Sequence, residues 1–387
     1  MRYFQAIVQV IWSQVISLNL FFLLISPVFA AKPTPAPASP SSFTSEADVD
    51  VHFKKQIPIY LQHDLGDVSI QGWSQDLIRI KLKKTVIADS EEIAVTDAAQ
   101  FGMVSLETPT TIELRVGTPS GTDLLTKLRN RQKKKNVKVD LEIRAPLNLP
   151  LTVVMGAGKN LKIQQWKGAI KITGKQGNLE LAKLRLTSSM NVNGPDCKIS
   201  ILDSEFNGSI LAGNQKVELK SVKAVSEPVL VFAQNGDIEL TDTAGDVQIR
   251  SVNGALHSKR HQGDLHAQTE LGKVNLDSMS GEVDIQTQSG DIHYDFIRAG
   301  KIMEIKTKSG NIDLSGASDF SGDLNLQSVQ GDVKTDFEVQ TPKKPVDEYG
   351  PAIHGKIIGW VGQSKRSHLT AFTEKGSILF RKRMVEK

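Results

Sequence analysis

From about residue 48 the chain alternates apolar and polar side chains. "VDVHF", "IPIYLQ", "DVSIQGW" and "LIRIKLKKTVI" all repeat with a period of two, the period of a strand with one buried face. "TTIELRV" and "VKVDLEIRAP" continue the pattern, and Pro146 closes the second. Between them, "SGTDLLTKLRNRQKKKN" predicts one short helix capped by Ser120 or Thr122.

Beyond residue 158 a longer period sets in. Gly168 and Gly177 are nine apart, and residues 180–235 are looser, with Gly194, Gly208 and Gly213 off the interval. Then Gly236, Gly245, Gly254, Gly263, Gly272, Gly281 and Gly290 follow at steps of nine, and Gly300, Gly310, Gly322 and Gly331 continue with small insertions. The second and fourth residues after each glycine are mostly apolar, as in Ile238/Leu240, Val247/Ile249, Val283/Ile285 and Ile312/Leu314. Each unit therefore predicts one short strand with one buried face, and the glycine predicts a turn. Nine residues leave no room for a crossover helix, so the strands must wind as coils.

Alternate units are equivalent. Ser251, Thr269, Thr287, Thr307 and Ser328 each stand three residues before a glycine, at steps of 18, 18, 20 and 21. One coil thus takes about 18 residues and two strands, and the hydroxyl column faces inward near a corner. The pattern predicts an all-β chain: a parallel β-solenoid, a flattened two-sheet β-helix, with an N-terminal β-rich capping region. The expected organisation is a signal peptide over 1–30, a Pro/Ala/Ser-rich linker over 31–47, and an N-terminal β-strand region with a basic insertion over 48–157. Solenoid repeats follow over 158–340, then an exposed loop and C-terminal capping strands over 341–387.

An acid often follows the glycine: Asp237, Asp246, Asp264, Glu282, Asp291, Asp323 and Asp332. Calcium-binding nonapeptide repeats share the period but carry several glycines per unit. Here there is one per unit, and Lys273 and Lys301 interrupt the acids. The acids read instead as local turn residues, hydrogen-bonded to nearby backbone. His257, His266 and His293 all occupy the third position after a glycine. Two-strand coils place His257 and His293 on one face, two coils apart, and His266 on the other. That spacing is too wide for a shared metal, and no cofactor or metal site is expected.

Composition narrows the function. The formal charge is +4 over 387 residues, so no basic field directs the chain to nucleic acid. Aromatic residues are 6%, which argues against an aromatic platform for bases or sugars. The single cysteine, Cys197 in "DCKISI", excludes an intramolecular disulfide and reads as a small buried hydrophobe. The densest charge cluster, Arg129, Arg131, Lys133, Lys134 and Lys135, is a solvated basic loop or a candidate surface-binding site for anionic lipid or polysaccharide. No G-x-S-x-G elbow, H-E-x-x-H or phosphate-binding glycine loop occurs, so no enzyme is expected.

The N-terminal run "VISLNLFFLLISPVFA" ends in small residues at Val28 and Ala30, which predicts export with cleavage before Ala31. An uncleaved anchor is the alternative, because "FQAIVQVIW" extends the apolar stretch. Gln5, Gln9, Ser13, Gln14 and Asn19 weigh against it. "AKPTPAPASPSSFTSEA" reads as a semi-rigid extended linker. No later segment could span a membrane as a helix.

At "LQHDLGDVSIQGW", at "VDLEIRAPLNLPLTVVMGAGKNLKIQQWKGAIKITGKQGNLELAKL" and at the repeated "SGDI/SGEV" units, the chain resembles a bacterial β-strand-repeat family of unknown function. That family is labelled "putative adhesin" and includes LiaG-like envelope proteins. The resemblance covers most of residues 48–380, including "HGKIIGW" and "LTAFTEKGSILFRKR". It implies an exported, non-catalytic solenoid in the periplasm, on the outer surface or secreted. Its partner would be an envelope or surface ligand, protein or polysaccharide, and it brings no catalytic residues. By association it also implies, as an alternative, an accessory or sensor role in envelope-stress signalling. A carbohydrate-active β-helix enzyme is the third reading. The basic insertion at 129–138 and "TPKKPVDEYGPAIHG" depart from the family pattern.

Overall fold

The computed structural model describes residues 41–53, 57–99, 101–117, 137–341, 354–363 and 367–383. They form 26 strands and one helix, Glu91–Ala99, so the chain is nearly all-β. Signal peptide, basic cluster and expected capped helix lie outside the described residues. The observed helix has its own start signal. Ser90 accepts a long 3.4 Å hydrogen bond from the Ile93 amide, and Glu91 and Glu92 occupy the first turn. Acids there face the positive end of the helix dipole.

Two parallel ladders run through the repeat. In the first, Val247 pairs with Leu265, Leu265 with Val283, and Val283 with Met303. In the second, Ile238 pairs with Leu256, Leu256 with Val274, and Val274 with Ile292. Each coil gives one strand to each ladder and stacks about 4.8 Å above the last. The apolar positions of both ladders point inward: Val247, Leu265, Val283, Ile285 and Met303 are all buried.

A short third side lies between the ladders, where single bridges join Lys223 to Ala244, Ala244 to Gln262, and Gln262 to Ser280. The nine-residue pattern contains no strand there, so the sequence does not announce it. In four long strands, Asp196–Ala212, Val217–Ala233, Val274–Ser289 and Ile292–Ser309, the chain stays extended round this corner. The ladders thereby merge into one 26-stranded sheet. The corner leading into this side carries a non-glycine residue in the left-handed region in seven coils: Gln165, Lys183, Asp203, Ser221, Asp242, Arg260 and Ser278, with φ between 47° and 57° in the first six and 59° in the last.

The domain boundaries read from sequence need correction. Residues 41–47 are not linker: Ser41–Val51 is a strand, antiparallel to Ile78–Ala88. Nor do 157/158 and 340/341 separate modules. Leu151–Met155 pairs in register with Ile170–Gly174, so the N-terminal region continues the coil stack.

Both ends of the stack are interleaved. The first coil, with strands Ile59–His63 and Val68–Trp73, lies between Leu151–Met155/Leu161–Gln164 on one side and Ile112–Gly117/Val137–Pro146 on the other. The last coil, Ser367–Lys375 and Ile378–Lys382, inserts between Ile302–Ser309/Ile312–Gly316 and Gly322–Ser328/Val333–Thr335. Neither terminal coil is an open edge. Antiparallel strands cover the outer coils: Ile78–Ala88 on Val137–Pro146, Gly102–Glu107 on Ile112–Gly117, and Gly355–Val361 on Gly322–Ser328. Such covering protects a repeat array from edge pairing. Phe380 of the inserted coil closes the core, stacked on Phe337 at 4.5 Å and edge-on to Phe320 at 5.5 Å between ring centroids.

Candidate binding surface

The repeat residues turn out to be parts of the stacking mechanism. A Cβ on Gly254, Gly272, Gly290 or Gly310 would meet the carbonyl oxygen of the preceding glycine in its column at 2.0, 2.0, 2.3 and 2.2 Å. Gly236 and Gly331 are equally crowded by the carbonyls of Gln215 and Gly376, and Gly322 by that of Ser367. A second column runs through Gly245, Gly263 and Gly281, where φ is +82°, +139° and +137°. The close approach of successive coils, rather than turning alone, is what the glycines permit.

Three of the acids after the glycines act between coils, not within their own turns as the sequence suggested. Asp237 accepts the Ala255 amide at 2.9 Å, Asp264 the Glu282 amide at 3.0 Å, and Asp291 the Asn311 amide at 2.9 Å. Asn311 continues the chain by accepting the Ser377 amide of the inserted coil. Each side chain satisfies a backbone donor one coil away, which leaves that oxygen committed to the fold. Among the described residues no group of three or more His, Cys, Asp or Glu is placed to hold a metal ion.

The hydroxyl column is buried and also serves corners. Ser251 donates to the Gly254 carbonyl at 3.1 Å, Thr373 to Gly310 at 2.9 Å, and Ser328 to Gly376 at 2.6 Å. Cys197 is buried, and burial pushes its thiol up to about 11, which makes it inert at neutral pH. His257 and His293 fall in one column of the second ladder with Asn275 between them, and His266 lies on the first. His293 sits 3.6 Å from both Asp277 and Asp313. Two other histidines are interior: His261, with Nδ1 2.8 Å from the Thr243 hydroxyl, and His63, with Nε2 2.7 Å from the Val139 carbonyl. Burial lowers the pKa of both below the ordinary histidine value.

What sequence reasoning missed is a pair of depressions on the outward face of the first ladder. One has a volume of about 660 Å³ and the other about 430 Å³, and they share Arg250, Gln268 and Gln286. The parallel register builds this surface as columns. Leu211, Phe232, Arg250, Gln268, Gln286, Lys306 and Phe372 follow one another across seven strands. Alongside run Ser209, Leu230, Gln248, His266, Asp284 and Glu304. Leu211 and Leu230 are 43% and 44% exposed at the apolar end. Only the register shows that these positions, 18 or more residues apart, are neighbours.

Residues 265–352 match the family model described as Toastrack DUF4097. The match starts in the regular coils, beside Gln268 of the shared surface, and over those residues it agrees with the β-strand-repeat resemblance. Among solved structures, the chain is similar to a "putative cell adhesion protein" from Clostridium sporogenes, at 11% identity and a TM-score of 0.23, covering 88% of this chain and 100% of that one. It is also similar to a "putative adhesin" from Bacteroides fragilis, at 11% identity and a TM-score of 0.24, covering 89% and 99%. A comparison with curated proteins gave no match. No helix among the described residues is long and apolar enough to cross a membrane.

Proposed function

We propose that this chain is an exported, non-catalytic solenoid that serves as a surface or structural binding module of a bacterial cell envelope, with adhesion as its working role. In this reading the coil is flattened, with two broad sheets and a narrow third side, and the outward face of the first ladder is the working surface. One observation carries the proposal: the paired depressions that adjoin along one face and share Arg250, Gln268 and Gln286. The apolar N-terminal run ending at Ala30 supports export.

Retention of the purified protein on envelope fractions and intact cells, with N-terminal sequencing of the chain recovered from fractionated cells, tests this. The expected result is a mature chain starting near Ala31 that is retained on a surface fraction and releases no reducing ends from glycans. Recovery from the cytoplasm with Met1 intact and no retention on any fraction would overturn it.

A further inference from the structure

We infer that the paired depressions on the first ladder are a binding groove for a neutral, linear oligosaccharide; this deepens the binding-module reading and rests on it. The two depressions are lined by Arg250, Lys306 and Lys308 against Asp284, Glu270 and Glu374. Positive and negative side chains balance, so neither an anionic nor a cationic polymer gains from a net field there.

The hydrogen-bonding groups point the same way. Gln248, Gln268, Gln286 and Gln288 all line this surface. A side-chain amide offers two donors and an acceptor, which suits a hydroxyl group that both donates and accepts. Gln286 donates to Asp284 at 3.3 Å. Gln248, Gln268, Gln288 and Arg250 have no side-chain hydrogen bond or ion pair among the described residues.

The outward face of the second ladder is different. There Lys162 pairs with Glu180 at 2.6 Å, Lys216 with Glu239 at 2.6 Å, and Asp313 with both His293 and Arg381. Those pairs tie neighbouring coils of that face to one another. The first-ladder face also carries ion pairs, Lys306 with Glu304 at 2.8 Å and His266 with Asp284 at 3.8 Å, but Gln248, Gln268, Gln288 and Arg250 stay outside them over three consecutive coils. Coils repeat about every 4.8 Å, so the groups form a row suited to a ligand with its own repeat.

The groove also has apolar ends. Leu211, Leu230 and Phe232 line one, and Phe372 the other. Apolar ring faces of a sugar can rest on such side chains while its hydroxyls reach the amides between them. The low aromatic content of the whole chain hides this, because two phenylalanines suffice when the register sets them in one column.

The test is calorimetric titration with neutral hexasaccharides of glucose, mannose and N-acetylglucosamine, and with a sulfated hexasaccharide as the charged comparison. Melting curves establish that each variant is folded. We expect at least one neutral hexasaccharide to bind, with little change on raising the salt concentration. Phe232→Ala and the double variant Gln268→Ala/Gln286→Ala should each weaken it about tenfold or more, while Glu239→Ala on the second ladder leaves it unchanged. The inference falls if no neutral hexasaccharide binds, if only the sulfated one binds, or if the groove variants bind like the parent. Cell retention separates the two readings. Retention that survives in both folded groove variants, with no neutral hexasaccharide bound by the parent, removes the groove but leaves the binding module standing. Glycan binding without retention on any fraction keeps the groove and removes the adhesive role.

Discussion

The carbonyl oxygen of Gly263 lies 2.0 Å from the point a Cβ on Gly281 would occupy. Gly281 also has a φ of +137°, a conformation closed to residues with a side chain. Gly281→Ala must therefore push two coils apart and strain its own backbone, a cost of about 2–4 kcal/mol. Gly158 provides the control: its φ is +72°, but nothing lies within 4 Å of an added Cβ. Gly158→Ala should cost only about 1–2 kcal/mol, the left-handed penalty alone. Urea denaturation of both variants checks the ordering, and equal midpoints would mean the glycine columns do not hold the coils together.

The strand register is testable at adjacent positions. Ile285 is fully buried, and Asp284 beside it faces outward near His266. Ile285→Asp should cost several kcal/mol, because a carboxylate in the core has no partner. Asp284→Lys should change stability by less than about 0.5 kcal/mol. Thermal melting that ranks the second variant as the worse would exchange the two faces.

The left-handed corner makes the opposite prediction to the glycine columns. Ser221 holds a φ of +54° without glycine. Ser221→Gly should stabilise the chain by up to about 1 kcal/mol, whereas a β-branched valine at the same place should destabilise it by about 1–2 kcal/mol. Denaturant midpoints for the two variants should move in opposite directions; a glycine variant that loses stability counts against a strained corner.

The contrast between these sites shows what the sequence makes legible. The glycine columns and the apolar residues two and four positions later share one chemistry at a fixed interval, so their period is visible. The corner column is Gln165, Lys183, Asp203, Ser221, Asp242, Arg260 and Ser278, which share a backbone conformation and no side-chain type. Nothing in composition marks them. The acid after the glycine was visible, but its partner, such as the Ala255 amide for Asp237, is 18 residues away and appears only with the coil register. The groove is hidden for the same reason. Gln268 and Gln286 look like ordinary solvent-facing strand residues until they are stacked.

The interior histidines make stability sensitive to mildly acid pH. Burial lowers the pKa of His261 and of His63, so the folded chain holds both neutral. Unfolded histidine titrates near about 6.5. Below that value the unfolded chain binds more protons than the folded one, so stability is full above it and is lost as pH falls toward the depressed folded values. Denaturation at a series of pH values should show this decline, and His261→Gln should make it shallower. A stability that rises between pH 7 and pH 5.5 would contradict the buried neutral rings.

The inserted last coil makes the final prediction. Ser367–Lys375 pairs on both sides, with Ile302–Ser309 and with Gly322–Ser328, and Ile378–Lys382 is held likewise. The coil at 322–335 therefore meets the rest of the stack through a segment that is synthesised after it. Removing residues 364–387 takes away Leu369, Ala371, Ile378 and Phe380, all buried, and leaves two unpaired strand edges facing each other across an empty coil. The hydrogen-bond chain from Asn311 to Ser377 to Asp332 is cut as well. Hydrogen exchange on the truncated chain should show lost protection over 322–335 and retained protection over 229–270, because the central coils keep their neighbours on both sides. The newly open edges should also make the truncated chain self-associate. Removing only residues 384–387 should do neither. If 322–335 stays protected without the last coil, it must dock directly on Ile302–Ser309, and the interleaved order of coils is not needed for the fold.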